Sequence, residues 1–163
     1  MKRFLFLVGC FFSTIAAASN WQPAAITDNL DVLFFDKDSI VHPSSDRIQV
    51  RAAYVLSKDV PIKNPPYAVN LLMSLQELDT KKRVIRDLQR DLYKDGVLIK
   101  SFKNPSPWEP VIPGTSGNEF FEQVVGRRVS FLKSVQGGPD ELVPFGRGMI
   151  LWLKMLVESV KKR

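Results

Sequence analysis

One cysteine, one histidine and a single apolar run of any length are all that this 163-residue chain holds of those features, and each scarcity excludes something. With Cys10 as the sole cysteine, no disulfide forms within the chain and no thiolate metal cluster is available. The lone His42 stands before Pro43 and Ser44, a surface-loop setting. Ser39, His42 and Asp46 make a Ser-His-Asp set on paper, but so short a local segment does not supply the required geometry, and no nucleophile elbow accompanies them. Asp36 and Asp38 read as a turn, because a calcium loop supplies several more oxygen ligands at regular spacing. The expectation is therefore no catalytic residue, no cofactor and no metal, in a chain that is not an enzyme. Charge is also modest: 23 Lys and Arg against 17 Asp and Glu leave +6, too spread to be a nucleic-acid footprint.

What the chain does have begins at its first residues. Lys2 and Arg3 precede the apolar run Phe4 to Ile15, followed by Ala16, Ala17 and Ala18, the pattern of a secretory signal peptide over residues 1–18. Cleavage after Ala18 leaves about 145 residues, enough for one domain, and lowers the charge from +6 to +4. It also removes Cys10. A second reading takes Leu7-Val8-Gly9-Cys10 as a lipobox with Cys10 lipid-modified, but only six apolar residues precede Cys10 and the alanine site would then be idle. Either way the protein is exported, to the periplasm, outer membrane or surface of a bacterium. Past the leader no run reaches the roughly 20 residues of a membrane-crossing helix. A basic exported surface meets anionic lipid, polysaccharide or acidic protein.

From Asp31 to Phe102 the texture is that of an antiparallel sheet. Leu33-Phe34-Phe35 ends at the turn Asp36-Lys37-Asp38. Ile48, Val50, Ala52, Tyr54 and Leu56 alternate with Arg47, Gln49 and Arg51, the period of a strand with one wet face. Pro61, Asn64, Pro65 and Pro66 make a loop, and Tyr67 to Leu78 resumes the alternation. Lys81 to Asp95 fits both a strand and a helical face; the hairpin signal Asp95-Gly96 before Val97-Leu98-Ile99 favours the strand. A proline-rich loop, Asn104 to Gly114, surrounds Trp108. Ser116 and Glu119 form a capping box for a short helix with Phe120, Phe121, Val124 and Val125 on its apolar side and Gly126 at its end. After a break at Gly137-Gly138-Pro139, a last amphipathic helix is expected from about Met149 to Lys162, with Lys154, Glu158 and Lys161 as its polar stripe.

In this order, residues 21–125 resemble the surface-adhesin E family of bacterial envelope proteins. The resemblance rests on Trp21 just past the cleavage site, Phe35-Asp36-Lys37-Asp38-Ser39-Ile40, the strand Ile48 to Leu56, Ser74, Glu77 and Asp79 followed by Lys82 and Arg83, then Tyr93, Asp95-Gly96 and Ser101. Its clearest piece is Pro107-Trp108-Glu109-Pro110-Val111-Ile112-Pro113-Gly114-Thr115. The resemblance implies an α+β fold, an antiparallel sheet of five or six strands with one short packed helix, here carrying a C-terminal helical extension. It also implies attachment to protein partners, host extracellular-matrix or serum proteins among them. Family members carry a cysteine pair bridging sheet to helix, where this chain has Thr80 and Val124 or Val125. The expected organisation is leader 1–18, adhesin E-like domain 19–126 and extension 127–163.

Two segments are candidate contact sites. Lys81, Lys82, Arg83, Arg86 and Arg90 read either as a solvated strand edge that discourages aggregation or as a contact for an acidic or sulfated extracellular partner. Alternation puts Arg86 and Arg90 on one face. Trp108 is either a plug over a sheet end or part of the same partner surface. For the terminal helix, with Trp152, Leu153, Leu156 and Val160 on its apolar side, three readings stand: packing on its own domain, docking to a partner or second copy, and lying on a membrane. The functional expectation is noncovalent protein binding at the envelope; the alternative is a periplasmic accessory protein docked through that helix. If the extension replaces the missing disulfide, deleting residues 127–163 will lower the thermal unfolding temperature; an unchanged temperature overturns that role.

Overall fold

The structure is a computed structural model that describes residues 19–62, 67–126 and 134–161; residues 1–18 with Cys10, the expected loop at Asn64-Pro65-Pro66, residues 127–133 and Lys162-Arg163 lie outside them. It is an α+β fold, with one antiparallel sheet and, among the described residues, two α-helices. The strands are β1 (Asn20–Ile26), β2 (Val32–Asp36), β3 (Val41–Ser44), β4 (Arg47–Ile62), β5 (Tyr67–Asp79), β6 (Val84–Lys94), β7 (Val97–Phe102), β8 (Glu109–Pro110) and β9 (Val135–Gln136). Helix α1 (Ser116–Val124) precedes β9 and α2 (Pro139–Lys161) follows it. The sheet runs β7-β6-β5-β4-β2-β1-β9, with β3 also on β4 and β8 also on β6.

Among the described residues nine strands replace the expected five or six, for local reasons. Three are only two to four residues long, below the length at which alternation is readable. β1 carries Pro23 beside a register shift, a position at which a strand tolerates proline. Pro61 likewise stands inside β4, beyond a bulge between Val55 and Val60. The ambiguous segment is a strand, β6, and Asp95 and Gly96 both take positive φ, as a tight two-residue hairpin needs. Buried Asn70 braces that turn, donating to Asp95 Oδ1 at 2.6 Å and accepting from the Asp95 N–H at 3.2 Å.

The sheet is covered on both faces. On one, α1 lays Phe120, Phe121 and Val124 over Leu33, Phe35, Val50, Ala52 and Leu78. Its N-cap is Thr115, one residue earlier than the capping box indicates, with Oγ1 accepting from the Asn118 N–H at 3.3 Å. On the other face, Trp21, Phe34, Ala53, Val55 and Leu71 meet Leu142, Val143 and Ile150 of α2. Trp21 reaches across to donate its indole N–H to the Gly137 carbonyl at 3.1 Å. The segment after Gly126 thus contributes a strand and half a helix to the same core.

Helix α2 starts ten residues before the expected Met149. Pro139 occupies its first position and Glu141 accepts from the Gly138 N–H at 2.7 Å, so the expected break is a helix start. Only its first half is buried. Asp59, in the β4 bulge, holds that half down by receiving Arg147 together with Lys94 of β6. Beyond Ile150 the helix leaves the sheet, so of the three readings for its apolar side, packing on its own domain does not hold for Trp152, Leu156 and Val157, which are exposed, as are Leu151 and Met155.

Two glycines of α2 separate packing from propensity. A Cβ on Gly146 would stand 2.8 Å from Val55 side-chain carbons, whereas on Gly148 it would meet nothing within 4 Å. Gly148→Ala is expected to raise stability by about 1 kcal/mol through helix propensity alone. Gly146→Ala gains the same propensity but forces α2 off β4, and its net effect is a lower unfolding temperature; thermal melts of the two variants side by side check the opposite signs.

Candidate functional site

Helix α2 covers only the half of its face near Val55 and Leu71, and the other half carries a polar surface built by three strands. β4 presents Arg47, Gln49 and Arg51; β5 presents Leu75, Glu77 and Asp79; β6 presents Arg86, Gln89 and Asp91. These share a face because they alternate with the core residues of α1's side and because Gln49 pairs with Glu77, and Glu77 with Arg86, across the ladder.

Trp108, delivered by the proline-rich loop just before β8, is held between two guanidinium groups. Arg86 stands 4.4 Å and Arg47 4.6 Å from its ring centroid. Both arginines are also tied to carboxylates. Arg86 donates to Glu77 Oε2 at 2.9 and 2.6 Å, and Arg47 lies 3.2 Å from Asp79 Oδ2. Gln49 adds a bond to Glu77 Oε1 at 3.3 Å. Beside them Arg51 pairs with Asp36, a wholly buried carboxylate that also accepts the Asn20 and Asp38 N–H groups at 3.0 and 3.2 Å. This stretch of surface is a balanced network of cations and anions rather than a basic patch.

The candidate basic residues do not converge. Lys81 and Lys82 are exposed in the β5–β6 turn, where their N–H groups donate to Asp79 Oδ1 at 3.1 and 2.8 Å. Arg83, at positive φ in the same turn, reaches α1: it bonds Asn118 Oδ1 and Glu122 Oε1, each at 2.8 Å, and lies 4.9 Å from the Phe121 ring centroid. It therefore links the turn after β5 to the short helix, the two places where the resemblance implies a cysteine pair. Arg86 and Arg90 are on opposite faces, correcting the expectation of a shared one. The register skips Leu88, opposing Leu75 to Gln89 and Gln76 to Asp87, and this bulge reverses the parity. Arg90 pairs with Asp87 on the α1 side. Nor is β6 a sheet edge, since β7 and β8 flank it. Trp152 and Leu156 are exposed, Leu153 is half-buried, and the side chain of Val160 lies outside those described.

On the α1 side a cavity of about 260 Å³ opens between β6, the loop around Ser106 and the start of α1. Tyr54, Gln76, Asp87 and Arg90 line it. Gln76 donates to Asp87 Oδ1 at 3.0 Å and to the Tyr54 hydroxyl at 3.3 Å, and desolvation by burial pushes the Tyr54 phenol above its ordinary range. Elsewhere, the Ser39 hydroxyl donates to the Asp36 carbonyl at 2.7 Å and accepts from the Arg51 N–H at 2.8 Å, a turn-bracing role. Among the described residues no group of three or more His, Cys, Asp or Glu is placed to hold a metal ion, and no helix is long and apolar enough to cross a membrane.

Comparisons with family models, curated proteins and solved structures find no match to this chain. Sequence reasoning missed Arg47 as a partner of Trp108 and Glu77 as the carboxylate that holds Arg86 beside it. Their common face on adjacent strands was legible from alternation, but the loop's return over that face was not.

Burial pushes the Glu77 carboxyl up, but Arg86, Gln49 and Arg47 together outweigh it and hold the group below the usual carboxylate range. Asp79 is lowered chiefly by the Lys82 N–H. A carboxyl depressed in the folded state stabilises the fold above its unfolded pKa, about 4, and that contribution disappears as pH falls through the folded value. Urea denaturation from pH 6 down to pH 2.5 should show stability declining below about pH 4, with a shallower decline in Glu77→Gln, whose pH-independent side chain has no proton to take up.

Proposed function

We propose that the protein is an exported bacterial envelope protein of the adhesin E type that binds protein partners noncovalently at the open edge of its sheet. The observation that carries this reading is strand β7. It ends the sheet order, so its outer side has no strand partner among the described residues, and Val97, Leu98 and Phe102 are 63, 51 and 42 % exposed on it. An edge of this kind accepts an extended segment by adding a strand: main-chain bonds supply affinity and alternate side chains supply selectivity. Lys100, which stands 4.9 Å from the Phe102 ring, and Lys103 place positive charge along that edge and steer an acidic partner toward it. Support for the adhesin E assignment comes from the ordered motifs of residues 21–125, and the arginine-tryptophan network gives the neighbouring face a rigid, charge-balanced surface.

Two measurements test the reading. Surface labelling of intact cells should reach the protein; protection until the outer membrane is breached overturns a surface role. In a binding assay against immobilised extracellular-matrix and serum proteins, Leu98→Lys with Phe102→Lys should weaken capture at least ten-fold while the melting temperature holds, since both side chains are exposed.

A further inference from the structure

Past Ile150, α2 contributes no fully buried residue among those described, and its chemistry is specific. The side of the helix that buries Leu142, Gly146 and Ile150 against the sheet continues, at the same helical spacing, through Leu153 and Val157. That continuation emerges from cover: Leu153 is half-buried and Val157 is 50 % exposed. Trp152, Met155 and Leu156 widen the apolar side, exposed by 59, 62 and 42 %. From Leu151 to Lys161 the helix extends about 16 Å past its last buried side chain.

Charge on this segment is one-sided. Lys154, Lys161, Lys162 and Arg163 face a single acid, Glu158, so the last stretch of chain is strongly basic. Lys154 and Glu158 fall on the side opposite Leu153 and Leu156 in helical order. We infer that this segment is an interfacial anchor that lies on an anionic lipid surface, with its apolar side at the acyl boundary, Trp152 at headgroup level and the lysines against lipid phosphates or other anionic headgroups.

A second copy is the competing occupant, and two observations disfavour it. Two such helices paired in parallel would set like-charged tails against each other, whereas an anionic leaflet neutralises all four cations at once. The apolar arc is also broader than the two-position seam that a helix pair buries. Crossing the bilayer is not available to this helix.

The test uses residues 19–163, which include every described element and omit the apolar leader, itself a source of lipid binding. Co-sedimentation with vesicles of phosphatidylcholine and phosphatidylglycerol at 3:1 should show binding that falls at least ten-fold on phosphatidylcholine alone, and likewise on raising the salt from 0.1 to 0.5 M. Trp152→Ser with Leu156→Ser should abolish vesicle binding while the melting temperature stays unchanged, because neither residue is in the core. Equal binding to both vesicle types, binding that survives the double substitution, or no binding together with a sedimentation-equilibrium dimer that the double substitution dissolves would each overturn the inference.

Discussion

Strand β2 is buried on both of its faces, and that single constraint organises the molecule. Val32, Phe34 and Asp36 point one way, Leu33 and Phe35 the other, and all five are shut from water. Its neighbour β4 does the same where Ala52 and Ala53 lie side by side in sequence on opposite faces. A strand with two apolar faces demands a layer on each, since leaving either phenylalanine exposed forfeits about 2 kcal/mol of hydrophobic burial. Helix α1 covers Phe35. Helix α2 covers Phe34, and the chain must travel through β9 to deliver it.

From that demand follow the features that look irregular locally. Gly146 is where the helix backbone comes close enough to touch Val55, and Trp21 spans the gap at the sheet's end to bond Gly137. Asp36 is the polar exception inside this arrangement. Its carboxylate is sealed in, and Arg51 together with two backbone N–H groups makes that burial tolerable. The same arginine begins the charged surface that continues to Trp108, so the edge of the core and the start of that charged face share one residue. Where α2 ends its contact with the sheet, the demand is satisfied and the helix is released to project.

The arginines show how a sheet can conceal its surface chemistry. Arg83, Arg86 and Arg90 form one basic run in sequence, yet each is drawn to a different structure: α1, the Trp108 network and the Asp87 pair. A single bulged residue, Leu88, is enough to send Arg86 and Arg90 to opposite faces, and nothing in composition marks a bulge. Trp108 was legible as an unusual residue among prolines. Its two cationic neighbours were not, because one lies on a strand some sixty residues earlier in the chain.

What the sequence determined by itself was local: the alternation that makes β4 and β5 strands, the Asp95-Gly96 turn whose backbone only a few residues accept, and the apolar side of α1. These depend on neighbours within a few positions, where steric and hydrogen-bond preferences act directly. Tertiary structure alone decided that Pro139 to Gly148 is helical, since Pro144, Gly146 and Gly148 disfavour that state and only packing against Val55 and Phe34 outweighs them. It also decided which half of α2 is buried. An apolar helical side looks the same along its length until a sheet of finite width covers part of it.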